Sequence, residues 1–308
     1  MKRNVNHALQ DAAARLASRL ESSQSAGTDA VELLSRLLKL TRGELLADRL
    51  REVSDAERDA LERWIDRRLA GEPVQYITGR AAFRSLDLAV DPRVLIPRPE
   101  TEGLVECVLE ALRAEQRRWP HPRVLDLGTG SGAIALAIVA EHPAAIVTAT
   151  DASAAALEVA RANAVELRLA DRVQFLEGEW FDAVAADARF EVVISNPPYI
   201  AEHERGSLPE DVREHEPAAA LFSGAEGTEA LREIIEEAPR HLIGGGLLAL
   251  ELAESRAAEI HAWLEGAEGW ERVELREDLA GQPRVLLARR APGPAIAPIQ
   301  WPEDPPPR

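Results

Sequence analysis

The chain of 308 residues predicts an α/β fold: a seven-stranded, mostly parallel sheet with an antiparallel edge hairpin, joined to a small N-terminal helical domain. Three observations carry that expectation. Strand-like and helix-like segments alternate from about residue 100 onward, the pattern of a parallel sheet covered on both faces. From residue 8 to about 70, apolar residues such as Leu16, Leu20, Val31, Leu34, Leu37 and Leu38 recur at three- and four-residue steps between charges, which is helical spacing. The apolar run Val124-Leu125-Asp126-Leu127 passes directly into a glycine-rich turn.

The helical front end, residues 1–80, reads as several short helices with starts at Thr28-Asp29 and Ser54-Asp55. Glu57 follows Ser54 at the spacing where a cap hydroxyl and a first-turn carboxylate satisfy each other's backbone donors. Residues 81–99 read as a connector carrying a short hairpin, with Leu86-Asp87-Leu88-Ala89-Val90 as a strand and Pro92, Pro97 and Pro99 as punctuation. The catalytic-type domain, 100–290, reads as helix 101–115, strand 123–127, helix 133–141, strand 146–150, helix 153–167, strands 172–176 and 191–195, helix 227–240, strand 246–252 and helix 255–266. Strands near 271–276 and 284–289 then follow without a helix between them, which predicts the antiparallel hairpin. Residues 291–308 are too proline-rich to extend a sheet and read as a flexible tail.

The composition narrows the function classes. A formal net charge of −17 argues against tight, nonspecific binding to a phosphate backbone, which needs a dense field of cations. Lys2 and Lys39 are the only lysines among 36 cationic side chains, a bias carrying no functional weight. Cys107 is the one cysteine, excluding an internal disulfide and any multi-cysteine zinc site, and no metal site is expected. The first twenty residues lack the apolar stretch of a signal peptide, and no segment approaches the ~18 apolar residues of a membrane span. A cytoplasmic protein, away from membranes, is the expectation.

Two motifs carry chemistry. Gly128-Thr129-Gly130-Ser131-Gly132 joins a strand to a helix; glycine admits a close ligand, and the helix start offers unpaired N–H groups. With Ala133 the loop also fits the dinucleotide pattern, so by itself it does not separate a nicotinamide cofactor from S-adenosylmethionine. Asp151, just past the next strand, can accept both ribose hydroxyls of an adenosine, or can cap the helix starting near Ser153. The discriminating motif is Asn196-Pro197-Pro198-Tyr199, directly after the apolar strand Val192-Val193-Ile194. Two prolines end that strand at the carboxyl edge, where such sheets place ligands. The Asn196 side-chain oxygen and the Pro197 carbonyl then form two acceptors beside the Tyr199 ring, a clamp for a planar NH₂ group.

Asn-Pro-Pro-Tyr in this position resembles the signature of class I methyltransferases acting on adenine, guanine or glutamine nitrogens. Gly71-Glu72-Pro73-Val74-Gln75-Tyr76-Ile77-Thr78-Gly79 and Leu95-Ile96-Pro97-Arg98-Pro99-Glu100-Thr101-Glu102 narrow it. With the helical front end, they resemble the bacterial release factor glutamine methyltransferases, the PrmC/HemK family, over residues 10 to 290.

That resemblance implies a Rossmann-like class I fold and N5-methylation of the glutamine in the Gly-Gly-Gln loop of class-1 peptide chain release factors. S-adenosyl-L-methionine would be consumed and S-adenosyl-L-homocysteine released. It implies that Gly128, Thr129, Gly130, Ser131 and Gly132 hold the methionine part of the cofactor and Asp151 its ribose. Trp180, otherwise readable as a core aromatic, would pack on the adenine. Asn196, Pro197, Pro198 and Tyr199 would bind the substrate amide; Asn196, Pro197 and Tyr199 would be catalytic, and Asn196 would also border the cofactor. Glu100, Thr101 and Glu102 either border the cofactor amino group or cap the helix that follows. Arg98 either meets the cofactor carboxylate or faces solvent. After Phe83 the family usually carries another aromatic residue, where this chain has Arg84. A monomer without direct nucleic-acid binding is expected. The competing readings are a DNA or RNA amino-methyltransferase using the same clamp on a flipped base, against which the charge weighs, an NAD-binding oxidoreductase, which leaves the clamp unexplained, and an interaction protein on a degenerate methyltransferase scaffold, against which every predicted contact residue is present.

Overall fold

The computed structural model describes residues 4–19 and 23–293, so Leu20 and most of the expected tail lie outside the described residues. The chain divides into two compact units: Met1–Arg80 with Val90–Pro92 and Leu208–His215, and Ala81–Ala89 with Arg93–Ser207 and Glu216–Arg308. This differs from the expected separate connector over 81–99. Its hairpin belongs with the sheet unit, where the Asn163 side chain bonds both the N–H and the carbonyl of Ala89 at 2.7 and 3.0 Å. Residues 208–215 join the helical unit, with Glu210 paired to Arg19 and Asp211 to Arg68 at 2.7 and 3.5 Å.

In the helical unit α1 (Val5–Leu16), α2 (Ser23–Leu38), α3 (Arg42–Ala47), α4 (Asp55–Leu69) and α5 (Val74–Thr78) follow one another. The Ser54–Glu57 capping box forms as the spacing predicts, and a second one joins Thr41 and Glu44. The helix start expected at Thr28-Asp29 does not occur: α2 runs through it. Ala26, Ala30, Leu33 and Leu34 are buried in one apolar cluster with α1 and α4, and that burial outweighs the local preference of Thr and Asp for a cap.

The sheet unit begins with the hairpin β1 (Arg80–Phe83) and β2 (Leu86–Ala89), then α6 (Pro99–Ala114), β3 (Arg123–Leu127), α7 (Ala133–Glu141), β4 (Ile146–Asp151), α8 (Ala154–Glu166), β5 (Val173–Glu177) and β6 (Phe190–Ser195). The short α9 (Glu210–His215) lies in the segment counted with the helical unit. The chain closes with α10 (Glu229–His241), β7 (Leu242–Glu251), α11 (Glu254–Glu265), β8 (Trp270–Glu277) and β9 (Pro283–Arg290). The seven strands lie in the order β5-β4-β3-β6-β7-β9-β8, with only β9 antiparallel to its neighbours β7 and β8. The chain winds from β3 toward β5 on one side and through β6 to β7 on the other, so the crevice between the carboxyl ends of β3 and β6 is the switch point where open sheets bind ligands.

Successive strand residues feed opposite cores. Val124, Val192, Ile194, Leu247 and Ala249 pack with α6 and α7, whereas Leu125, Leu127, Val193, Leu248 and Leu250 pack with α10 and α11. Burial on both faces explains why these strands read as unbroken apolar runs. β7 starts four residues before the expected strand, because Gly244-Gly245-Gly246 conceals it; Gly245 has φ 78°, and the register with β6 slips between Phe190 and Val192.

Arg84 occupies the turn of the β1–β2 hairpin at φ 53°, and its side chain is a clasp. Its guanidinium bonds the Glu141 and Glu106 carboxylates and the Glu102 carbonyl, while its backbone N–H donates to Glu102 Oε1 at 2.9 Å. An ion-pair cluster thus ties the hairpin to α6 and α7.

Candidate active site

The strand registers build the site. Leu127 pairs with Thr150 on β4 and with Ser195 on β6, and Ser195 pairs with Leu250 on β7. The next residue on each chain therefore falls in one row at the carboxyl edge: Asp151, Gly128, Asn196 and Glu251. The row spans the switch point and contains three residues that the sequence singles out and one, Glu251, that it does not.

On the β3 side the loop needs glycine at three places. Gly128, Gly130 and Gly132 have φ of 70°, 55° and 83°. A Cβ on Gly132 would stand 3.1 Å from the Leu136 side chain and 3.3 Å from Ala160, while one on Gly130 would meet no protein atom within 4 Å. The Trp180 ring edge lies 3.3 Å from a Cβ built on Gly128, and the Trp180 carbonyl accepts from Thr150 Oγ1 at 2.9 Å. Trp180 thus stands beside the glycine loop, half-buried.

Two carboxylates hold this loop. Asp151 Oδ2 accepts from the Gly130 N–H and Oδ1 from the Ser153 N–H, both at 2.8 Å. Ser153 itself caps α8, so Asp151 braces the loop rather than serving as the helix cap. Burial raises its pKa, against the two backbone bonds that favour the charged form. Asp126, fully buried, accepts from Thr129 Oγ1 at 2.6 Å and from the Ala135 N–H at 3.2 Å through one oxygen, and its other oxygen lacks a partner. Burial lifts its pKa to about 7.

On the β6 side the clamp turn is held by side chains. Ser195 Oγ donates to the Leu127 carbonyl at 2.8 Å, joining β6 to β3 just before Asn196. Asn196 Nδ2 donates to Thr101 Oγ1 at 3.0 Å, and neither Asn196 Oδ1 nor the Pro197 carbonyl has a hydrogen-bond partner among the described residues. Tyr199 OH donates to Glu251 Oε1 across a long 3.4 Å; burial and the adjacent carboxylate raise the phenol pKa. Pro197 is buried and Pro198 half-buried.

The comparisons with known proteins bear on this arrangement. The PrmC N-terminal domain model matches residues 7–79, and the methyltransferase small domain model matches residues 104–212. The release factor glutamine methyltransferase of Rhodopirellula baltica is 39% identical over 273 residues, covering 89% of this chain and 92% of that protein. That of Bradyrhizobium diazoefficiens is 40% identical over 290 residues, covering 94% and 97%. The chain belongs to the release factor glutamine methyltransferase family. Among solved structures, the hMettl16 catalytic domain in complex with MAT2A 3′UTR hairpin 6 superposes with a TM-score of 0.54 at 15% identity, over 80% of this chain and 87% of that one, a likeness of fold alone.

Within the family frame, the remaining sequence readings resolve into structure. α6 begins at Pro99 with Arg98 in the cap position and no side-chain cap bond. Thr101 is buried and meets Asn196, and Glu102 holds Arg84. Arg98 pairs with the buried Glu216 at 2.6 Å, and is therefore neither a free solvent-facing cation nor a residue held open for an anion. Sequence reasoning passed over Asp126, Glu251 and the partner role of Thr101. The signal for the two acids was present: each is an ionisable residue embedded in an apolar strand, Leu125-Asp126-Leu127 and Leu250-Glu251-Leu252. Among the described residues no group of three or more His, Cys, Asp or Glu side chains could hold a metal ion, and no helix is long and apolar enough to cross a membrane.

Proposed function

We propose that this protein transfers a methyl group from S-adenosyl-L-methionine to the side-chain N5 of the glutamine in the Gly-Gly-Gln motif of class-1 peptide chain release factors. The observation that carries the reading is the pair of unpartnered acceptors, Asn196 Oδ1 and the Pro197 carbonyl, one strand away from the glycine loop across the switch point. The family's named activity supports it.

The residues present fit the cofactor. Gly130 leaves open space where any side chain would stand, the Trp180 ring flanks the loop, and Asp151 ends the neighbouring strand. In this reading Gly128 to Gly132 take its methionine part, Asp151 its ribose and Trp180 its adenine. When bound, the cofactor supplies a methyl group made electrophilic by a sulfonium. An amide nitrogen is a weak nucleophile because its lone pair is delocalised into the carbonyl, so orientation matters more than a strong base. Asn196 and Pro197 accept the two amide hydrogens and favour pyramidal character at nitrogen, Tyr199 packs on the amide face, and the proton leaves to solvent.

The substrate in this reading is a protein, taken up by a cytoplasmic monomer without direct nucleic-acid binding, which the net charge of −17 supports. Labelled S-adenosyl-L-methionine offered with a release factor, with DNA or with RNA tests it. Label entering the release factor alone is the expected result; label entering nucleic acid instead would assign the clamp to a base.

A further inference from the structure

The Trp180 backbone is strained: its φ is 40°, in the left-handed region where the Cβ of an L-residue crowds the following carbonyl oxygen. Such a conformation persists only where the surroundings fix it. Before Trp180, the Gly178 N–H donates to the Asp151 carbonyl at 3.0 Å, and a Cβ on Gly178 would stand 2.7 Å from Ala183 Cβ, so the turn closes tightly beside the end of β4. After it, Phe181 is buried in the core that α10 and α11 cover. At Trp180 itself, the carbonyl accepts from Thr150 Oγ1 at 2.9 Å. Thr150 is wholly buried and lies 30 positions earlier in the chain. Its own carbonyl accepts from the Thr129 N–H of the glycine loop, also at 2.9 Å, so one residue bonds both the glycine loop and the tryptophan turn. In the sheet it pairs with Leu127 on one side and Leu176 on the other, which fixes its backbone between those two segments. Branching at Cβ restricts the threonine χ1, and the direction of the hydroxyl is correspondingly firm.

Resting on the reading that Trp180 packs on the adenine, we propose that Thr150 is a positioning residue for the cofactor: its hydroxyl holds Trp180 in the left-handed conformation and so keeps the indole beside Gly128. The ring edge is there 3.3 Å from the point that a Cβ on Gly128 would occupy. The two bonds of Thr150 are separable. The one to the glycine loop is made by backbone and survives a change of side chain, whereas the one to Trp180 is made by the hydroxyl and vanishes with it. Thr150→Val keeps the branched shape and removes the donor. The Trp180 backbone then relaxes out of its strained conformation and carries the indole away from the loop. The clamp turn does not depend on this bond, because Asn196 is held by Thr101 and Ser195 by the Leu127 carbonyl. The loss therefore falls on cofactor affinity and spares transfer from the bound cofactor.

The experiment is calorimetric titration of the unaltered protein, Thr150→Val, Thr150→Ser, Trp180→Ala and the double variant Thr150→Val/Trp180→Ala with S-adenosyl-L-homocysteine, beside steady-state methylation of a release factor. The expected result for Thr150→Val is a ~10-fold rise in Kd and in the KM for S-adenosyl-L-methionine, with kcat at saturating cofactor and the KM for the release factor nearly unchanged. Thr150→Ser, which keeps the hydroxyl, should bind within ~3-fold of the unaltered protein. In the Trp180→Ala background Thr150→Val should add less than ~2-fold, because the two residues act as one unit. Equal affinity in Thr150→Val and the unaltered protein, or the same loss with and without the Trp180 ring, would overturn this inference alone. No binding of S-adenosyl-L-homocysteine by the unaltered protein would overturn the cofactor placement in the functional reading and this inference with it. Should Thr150→Val fail to fold, Thr150→Ser and Thr150→Ala differ by the hydroxyl, and equal cofactor affinity in those two would overturn the proposal.

Discussion

The glycine loop and the Asn-Pro-Pro-Tyr turn leave neighbouring parallel strands at the same level, yet they are held by different means. The loop is braced from nearby: Gly128, Gly130 and Gly132 adopt left-handed conformations, and Asp126 and Asp151, at the ends of β3 and β4, take up the loop's N–H and hydroxyl donors. The clamp turn depends on distant stretches of chain. Asn196 is fixed by Thr101, 95 positions away, and Tyr199 by Glu251, 52 positions away. A ligand site made of backbone needs only a local conformation, whereas one made of an oriented side-chain acceptor needs a hydrogen bond from a distant residue to decide which end of the amide points outward.

That contrast can be broken by separating cofactor binding from transfer. Asn196→Ala removes one oriented acceptor and leaves the loop alone. Its expected effect is a ~10²–10³-fold loss of kcat with cofactor affinity retained, read by a methylation assay and calorimetry on the same preparation. Gly130→Ala is the converse. Its Cβ meets no protein atom but enters the space offered to the ligand, at φ 55°. Cofactor Kd should rise on the order of 30-fold while the KM for the protein substrate holds; a variant weakened for substrate instead would place the cofactor elsewhere.

Smaller effects sharpen the boundary of the site. Arg84→Ala should lower stability by ~2 kcal/mol through loss of charged hydrogen bonds to Glu141 and Glu106, without changing kcat. Arg84→Gly should be milder by ~1 kcal/mol, since glycine adopts φ 53° without strain. Thermal melts and the methylation assay check both, and a loss of kcat at full folding would contradict a purely structural role for Arg84. A separate change concerns pH. Asp126 has its folded pKa raised to about 7, so it favours the folded state most below the ordinary carboxylate range, and that contribution is lost as pH rises through about 7. Asp126→Asn should flatten the decline by up to ~1.4 kcal/mol per pH unit in urea titrations; part of it should remain, because Asp151 and Glu251 are shifted the same way.

The same contrast explains what the sequence made legible. Strand, glycine turn and helix are contiguous from residue 123 to 141, so spacing alone locates the loop, and two prolines after an apolar strand mark the turn at 196–199. The Thr101–Asn196 and Tyr199–Glu251 contacts join residues whose neighbours in sequence carry no trace of each other. The second follows from strand order, which places β7 beside β6, and the first from the packing of α6 over the face of β6 that carries Val192 and Ile194. Where local signals did mislead, tertiary burial or glycine was responsible. Thr28-Asp29 resembles a helix start but lies within α2, between the buried Ala26 and Ala30, and the first residues of β7 are hidden by three glycines. Residues 208–215 look like ordinary loop before α10, yet they belong with the helical unit, where Glu210 and Asp211 pair with Arg19 and Arg68.

The most direct test of the account is mass spectrometry of the Gly-Gly-Gln peptide from a release factor incubated with this protein and S-adenosyl-L-methionine, beside the same reaction with Asn196→Ala. The account predicts one added methyl group on the glutamine side chain with the unaltered protein and almost none with the variant. An unmodified glutamine after exhaustive incubation, or equal modification by both proteins, would contradict it.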